Sequence, residues 1–135
     1  MLLIDSSVWI DRSRGLDTDG TRYVDMREGQ EEVALTGVIY QEVLQGARSE
    51  RGFDALREML SAMLLLEPRE WSTYEIAAIL FRRARSAGYA IRKPNDCLIA
   101  AIALEHGALL VHNDRDFVHL AQVEPALMIY PGRPH

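Results

Sequence analysis

Residues 2–9 read LLIDSSVW, a short apolar segment that ends at an acidic residue and is followed at once by a helix start. Three aliphatic side chains in a row are typical of a strand that is buried on both faces. Asp5, Ser6 and Ser7 are residue types that begin helices, because their side-chain oxygens accept hydrogen bonds from free backbone N–H groups. The stretch therefore predicts the first strand-and-helix unit of an α/β domain.

The rest of the chain continues this alternation of short apolar and longer amphipathic segments. We predict one domain over residues 1–135, because this length suits a single hydrophobic core. Helices between successive strands favour an α/β fold with a mostly parallel central sheet of about four to five short strands flanked by helices. The predicted strands are 2–4, 33–35, 65–66, 108–111 and 126–129, and the predicted helices are 7–12, 18–29, 38–47, 52–64, 71–87, 95–106 and 117–121.

Composition narrows the class of protein further. The net charge is −5, from 20 acidic against 15 basic residues, so any contact with nucleic acid requires locally concentrated positive charge. Cys97 is the single cysteine, which excludes an internal disulfide, and its apolar neighbours predict a buried side chain. The apolar run at the N-terminus stops after four residues, and no stretch reaches the about 18 that span a bilayer. We therefore expect a cytoplasmic protein without a signal peptide or membrane contact.

Five acidic residues stand out by their position. Asp5 directly follows the first predicted strand, and Asp114 and Asp116 follow the fourth by a few residues. Topology alone therefore places Asp5 and Asp114 at the carboxyl edge of the sheet, where ligands bind in α/β folds. Glu42 and Asp96 lie in helices and reach that edge only if the helices are suitably placed. Taken singly, each acid also suits a helix cap, a turn or a solvated surface.

Convergence of these acids would itself require a cation. Two carboxylates about 4 Å apart repel each other by roughly 4 kcal/mol at an effective dielectric constant near 20. Oxygen ligands without a cysteine or a clear histidine partner favour Mg²⁺ or Mn²⁺ over Zn²⁺. The pattern therefore predicts a hard divalent metal as cofactor if the acids meet.

Four segments together resemble the PIN-domain ribonucleases, and in particular the VapC-type toxins of bacterial toxin–antitoxin pairs. They occur in the family's order and at its spacing over essentially the whole chain. The segments are LIDSSVWI at residues 3–10, TGVIYQEVLQG at 36–46, NDCLIAA at 95–101 and LVHNDRDF at 110–117. The resemblance implies a PIN-like domain whose catalytic, metal-holding acids are Asp5, Glu42, Asp96 and Asp114, with Asp116 as an additional ligand.

The resemblance also implies an activity and partners. It implies a type II toxin that is an Mg²⁺- or Mn²⁺-dependent endoribonuclease, which hydrolyses RNA phosphodiester bonds by metal-activated water, with structured RNAs such as tRNA or rRNA as substrates. A homodimer and a cognate VapB-type antitoxin are further implications. His112 departs from the Thr or Ser of many relatives, and we interpret it as a polar residue at a strand end rather than as a member of the site.

Further residues are candidates for supporting roles. Ser7 is placed to hydrogen-bond Asp5 and fix its orientation, or simply to cap the helix. The densest basic run, which precedes Asp96, either binds RNA or is a solvated helix face. Apolar residues in the segments 18–29 and 50–64 either form an antitoxin groove or face the core. The basic candidates are Arg82, Arg85, Arg92 and Lys93, and the apolar candidates are Tyr23, Met26, Met59 and Met63.

Two other functions fit parts of the pattern. A PIN fold can bind RNA or an antitoxin without cleaving, although all four acidic positions are filled here. A phosphatase of the haloacid dehalogenase type also places an aspartate after its first strand, but its D-x-D motif would require an aspartate where this chain has Ser7. RNA hydrolysis by a metal-dependent acidic site is thus the preferred hypothesis.

Overall fold

A computed structural model describes residues 1–132, and within them it contains five strands and seven helices. The strands are β1 (Leu2–Ile4), β2 (Val33–Thr36), β3 (Leu64–Leu66), β4 (Leu109–Val111) and β5 (Ile129–Tyr130). The helices are α1 (Ser6–Ser13), α2 (Asp19–Arg27), α3 (Gly37–Gln45), α4 (Glu50–Ser61), α5 (Trp71–Ser86), α6 (Pro94–His106) and α7 (Arg115–Val123). The last three residues of the predicted domain, 133–135, lie outside the described part of the chain.

The strands form one sheet in the order β3-β2-β1-β4-β5, and all four pairings are parallel. The chain moves outward from β1 to β3 on one side and then crosses to β4 on the other. Because parallel connections share one hand, the connections that leave β1 and β4 cover opposite faces and open a crevice between these two strands. The predicted α/β class is confirmed, and the edge at which α/β folds generally bind ligands lies here at the carboxyl ends of β1 and β4.

The centre of the core is β1, whose three side chains are fully buried between both layers of helices. Helix α6 is buried almost all round, from Ile99 to Ala103, and its alanines allow close packing against neighbouring elements. Gly107 ends this helix in the left-handed conformation, with φ of 63°, which favours a residue without a side chain. Cys97 is buried in the same helix, as predicted.

Among the predicted elements, the last strand and helix α4 differ most from the structure. The last strand is Ile129–Tyr130 rather than 126–129, because the chain turns after α7 through a hydrogen bond from the Leu127 N–H to the Glu124 carbonyl. Leu127 is buried there without belonging to a strand. Helix α4 begins earlier and ends earlier than 52–64, since Ser49 caps its start and Leu64 pairs with Ala34 in the sheet. Within residues 1–132, none of the helices combines the length and apolar character that a membrane crossing requires.

Candidate active site

Asp5 lies at the junction of β1 and α1, in the crevice described above. Its backbone N–H donates to the Val111 carbonyl of β4, which extends the sheet by one residue. The side chain is only 3% exposed, and its Oδ2 accepts hydrogen bonds from the Ser7 N–H at 3.0 Å and the Ser7 hydroxyl at 2.6 Å. Its Oδ1 is buried and has no hydrogen-bond partner among the described residues. One oxygen is thus fixed and the other is left available.

Asp114 and Asp116 follow β4 at the same edge. Asp114 caps α7, because its Oδ1 accepts the Asp116 N–H at 3.0 Å, while its Oδ2 lies 3.1 Å from the Lys93 ammonium. Asp116 is buried, and its Oδ2 accepts the backbone N–H groups of Arg92 and Lys93 at 3.1 and 3.3 Å. Asp116 therefore ties the segment before α6 to the start of α7.

Asp96 enters the cluster from the first turn of α6. Pro94 starts this helix, and Asp96 is 2% exposed with its Oδ2 buried and unpartnered among the described residues. Asp96, Asp114 and Asp116 each present a carboxylate oxygen within 4.8 Å of the others. Burial of Asp96 in the crevice therefore concentrates three carboxylates in a space the size of a metal coordination sphere.

Glu42 belongs to α3 and approaches the cluster from the other side. Its Oε1 accepts a hydrogen bond from the Ser6 hydroxyl at 3.2 Å, and the side chain is only partly buried. The charge of Asp5 acts on Glu42, which indicates that the two carboxylates are near each other. The structure therefore brings all five predicted acids to one edge, with Glu42 as the outermost member.

The electrostatics of the cluster favour the binding of a cation, because the carboxylates outnumber the nearby positive charge. Burial, followed by the charges of Asp5 and Asp114, raises the pKa of Asp96 to about 9. Burial also raises the pKa values of Asp5 and Glu42, and in Asp5 it outweighs the hydrogen bonds from Ser7. Burial lowers the pKa of Lys93, but its hydrogen bond to Asp114 and the surrounding acids raise it more. Among the described residues, the half-exposed Lys93 ammonium thus faces the four carboxylates of Asp5, Glu42, Asp96 and Asp114.

These observations fit a divalent cation. Two buried carboxylate oxygens, Asp5 Oδ1 and Asp96 Oδ2, have no donor among the described residues, and leaving such groups unsatisfied costs about 1–3 kcal/mol each. The donor set consists of carboxylate oxygens alone, which is the chemistry of Mg²⁺ or Mn²⁺ sites. Cys97, adjacent in sequence, is no candidate ligand, since burial raises its thiol pKa to about 12.

The basic candidates separate into two groups. Lys93 contacts Asp114, and Arg92 is exposed in the same segment. Arg82 lines a shallow depression between α5 and α7, and the Arg85 guanidinium lies 5.8 Å from the centre of the Phe81 ring. Both arginines belong to α5, and no ion pair between either of them and the five acids occurs among the described residues.

His112 lies behind the site. It is buried, and its Nδ1 accepts the Asp114 N–H at 3.0 Å, so the ring proton is on Nε2 and donates to the Pro131 carbonyl at 2.9 Å. Burial lowers the His112 pKa, which keeps the ring neutral. The neutral ring shapes the turn that carries Asp114, in agreement with its interpretation as a polar strand-end residue.

Two supporting residues were not predicted from the sequence. Ser6 holds Glu42, and the Asn113 N–H donates to the Ser7 hydroxyl at 3.0 Å, which in turn donates to Asp5. A hydrogen-bonded chain from β4 therefore orients Asp5 across the crevice. The sequence carries no signal for either contact, because the partners are 36 and 106 residues apart.

The chain is similar in sequence and in fold to known proteins. The sequence profile of the PIN domain family matches residues 2–123. The chain belongs to the PIN-domain family. The ribonuclease VapC11 of Mycobacterium tuberculosis H37Rv and the VapC ribonuclease Mb1587 of Mycobacterium bovis are each 35% identical to this PIN domain over 127 residues, which is 91% of this chain and 93% of theirs. Membership in the PIN-domain family speaks against the alternative of a phosphatase of the haloacid dehalogenase type.

A solved structure shares the fold of this PIN domain. It is a VapBC2 complex from Rickettsia felis bound to a DNA fragment from its promoter, with a TM-score of 0.73 at 16% identity, covering 95% of this chain and 96% of the other. The predicted PIN-like fold is confirmed.

Proposed function

We propose that this PIN domain is a metal-dependent endoribonuclease of the VapC type, the toxin of a type II toxin–antitoxin pair. The observation that carries the proposal is the buried acidic cluster at the ends of β1 and β4, with two carboxylate oxygens that lack a donor among the described residues. Relatives at 35% identity are named ribonucleases, which supports RNA as the substrate.

Each acid has a distinct part in this proposal. Asp5, Asp96 and Asp114 would hold Mg²⁺ or Mn²⁺, Glu42 would contact it directly or through water, and Asp116 would offer its second oxygen. A bound divalent ion would offset the repulsion among the carboxylates and supply Lewis acidity towards a phosphodiester. Ser7 keeps Asp5 in one orientation through two hydrogen bonds, and Asp116 keeps the start of α6 in place. Hydrolysis would leave a 5′-phosphate and a 3′-hydroxyl.

RNA must be held close to an acidic pocket by nearby positive charge. Arg92 and Lys93 rim the cluster, and they are the first candidates to contact the phosphate backbone. Arg82 and Arg85 would extend this surface along α5. Structured RNAs such as tRNA or rRNA are the proposed substrates.

The proposed partners are a VapB-type antitoxin and a second copy of the chain, both in the cytoplasm. Of the four candidate antitoxin contacts, Met26 and Met59 are exposed, whereas Tyr23 and Met63 pack partly against the core. Met59 lines a groove of about 680 Å³ that combines apolar and basic side chains, which suits an amphipathic segment of opposite charge. The groove is lined by residues that include Trp9, Arg14, Val43, Arg48, Leu56 and Met59.

Cleavage of labelled RNA by the purified chain tests the activity. We expect cleavage with Mg²⁺ or Mn²⁺, none with EDTA, and none by the Asp5→Asn variant. Asp54→Asn serves as the matched control, because Asp54 is an exposed acid on α4 that pairs only with Arg57 among the contacts described. RNA binding without cleavage under all metal conditions would instead favour a non-cleaving binding module.

A cellular experiment tests the role as a toxin. Induction of the chain alone should stop growth, and co-expression of its antitoxin should restore growth. Normal growth under strong induction of the intact chain would contradict the toxin role while leaving RNA cleavage in the purified protein to be judged separately.

A further inference from the structure

Lys93 occupies a special position in the acidic cluster. It is the only lysine in the chain, and its ammonium lies 3.1 Å from Asp114 Oδ2. Its backbone is held by the hydrogen bond from its N–H to Asp116, and Pro94 follows it at the start of α6. The main chain at residue 93 is therefore fixed by the site, while the long side chain keeps its own freedom.

The two partners of this ion pair differ in exposure. The Asp114 side chain is 7% exposed, whereas the Lys93 side chain is 57% exposed. The ammonium can therefore turn into water by rotation about its own side-chain bonds, and the carboxylate cannot follow it. The charge of Lys93 also acts on Asp5, Glu42 and Asp96, so this cation interacts with three further acids besides Asp114.

Both oxygens of Asp114 already accept one hydrogen bond while this pair is formed. Its Oδ1 accepts the Asp116 N–H that begins α7, and its Oδ2 accepts from Lys93. A metal ion that approaches Asp114 therefore competes with these donors, and the exposed ammonium can move away most easily because its hydrogen bond is not part of a helix cap. An ammonium of charge +1 and a metal ion of charge +2 also repel each other in the same crevice.

We propose that Lys93 is a built-in counter-ion of the acidic site, which balances the carboxylates in the metal-free protein and is displaced from Asp114 when a divalent cation binds. The inference rests on the metal dependence in the proposed function. It assigns Lys93 a positioning role that precedes any contact with RNA, and it implies that the chain lowers its own affinity for metal.

Because the chain has one lysine, isotope-labelled lysine gives a side-chain signal from this residue alone. We expect Mg²⁺ titration of the labelled, chelator-treated chain, without RNA, to shift the Lys93 ¹³Cε and ¹⁵Nζ resonances towards those of free lysine. Exchange of the ammonium protons with water should accelerate, since the hydrogen bond to Asp114 is lost. Saturation of the site with unchanged signals and unchanged exchange would overturn the proposal.

Calorimetric titration with Mn²⁺ provides the second readout. We expect Lys93→Met and Lys93→Gln to bind Mn²⁺ about fivefold more tightly than the parent, which corresponds to about 1 kcal/mol. Lys93→Arg, which keeps the charge, should stay within about twofold of the parent, a difference of about 0.4 kcal/mol. Arg115→Met is the matched control, because it removes the same charge from the exposed residue next to Asp114.

The outcomes separate this proposal from the proposed function. Equal or weaker Mn²⁺ affinity in both neutral variants, with folding verified by circular dichroism, would refute the counter-ion role even if the parent cleaves RNA. Tighter binding by these variants in a chain that cleaves no RNA would support the counter-ion role and contradict the ribonuclease. Absence of any metal binding would overturn both.

Discussion

The two sides of the acidic site are built differently. On one side, Asp96, Asp114 and Asp116 lie within one coordination sphere, and Asp96 and Asp116 are 2% exposed. On the other side, Glu42 is half-exposed and is held by one 3.2 Å hydrogen bond from Ser6. The side formed by Asp96, Asp114 and Asp116 is rigid and holds like charges close together. Glu42, on the other side, can change its position. The rigid side should therefore set metal binding, and Glu42 should tune it.

Between substitutions on the two sides of the site, we expect the largest difference in the rate of RNA cleavage. Asp96→Asn removes a buried ligand, so we expect RNA cleavage to fall about a thousandfold, which equals about 4 kcal/mol of transition-state stabilisation. Glu42→Gln should reduce cleavage by only about tenfold to a hundredfold. Single-turnover rates at saturating Mg²⁺ measure both, and equal losses would abolish the distinction between the two sides.

The hydrogen bonds that Ser7 and Ser6 donate to two acids of the site provide the next comparison. Ser7 holds Asp5 through a 2.6 Å hydrogen bond, and Ser6 holds Glu42 through a 3.2 Å one. We expect Ser7→Ala to lower kcat by about tenfold to a hundredfold and Ser6→Ala by less than about tenfold. Steady-state kinetics with purified variants provide the test, and a larger effect at Ser6 would contradict the stronger orientation of Asp5 by Ser7.

The pH dependence of stability probes the rigid side without RNA. Because the pKa of Asp96 is raised from 3.8 to about 9, the folded protein holds a proton that the unfolded chain releases. The contribution of Asp96 to the stability of the metal-free protein is therefore lost as pH rises from about 4 towards 9. Asp96→Asn removes the effect, and we expect its Tm with EDTA near pH 8 to exceed that of the parent by about 5 °C.

Thermal melts of both proteins with EDTA near pH 5 are the control, because the parent's Asp96 is protonated there and resembles Asn. His112, whose pKa burial lowers, affects both proteins alike and cancels in the difference. If the parent gained stability between pH 5 and pH 8 relative to Asp96→Asn, the prediction that burial raises the pKa of Asp96 would be wrong.

The smallest effects are expected at the basic rim. Arg92→Ala should raise the KM for RNA by about two- to fivefold, and Arg82→Ala by less, because Arg92 lies in the segment fixed by Asp116. Both variants should reduce the salt dependence of RNA binding. Filter binding at several salt concentrations measures this, and an Arg82 effect above that of Arg92 would move the RNA path onto α5.

Much of the fold was predictable because it depends on local pattern. Apolar triplets such as Leu2–Ile4 predict strands, and cap residues such as Asp5 predict where they end. The structure has β1 at Leu2–Ile4 and a helix cap at Asp5. The last strand was misplaced because Leu127 is apolar and buried without being paired in the sheet. Periodicity reports burial, and burial alone does not distinguish a strand from a packed turn.

The sequence by itself determined the α/β order and the position of Asp5 and Asp114 at strand ends, because both follow from hydrophobic pattern and chain direction. Three contacts follow only from the tertiary structure. Asp96 lies close to Asp114, and Lys93 forms an ion pair with Asp114. Ser6 donates a hydrogen bond to Glu42. Those contacts join residues from distant parts of the chain, and they depend on how α3 and α6 pack at the crevice. Local pattern carries no information about that packing, since it is set by the three-dimensional fit of the core.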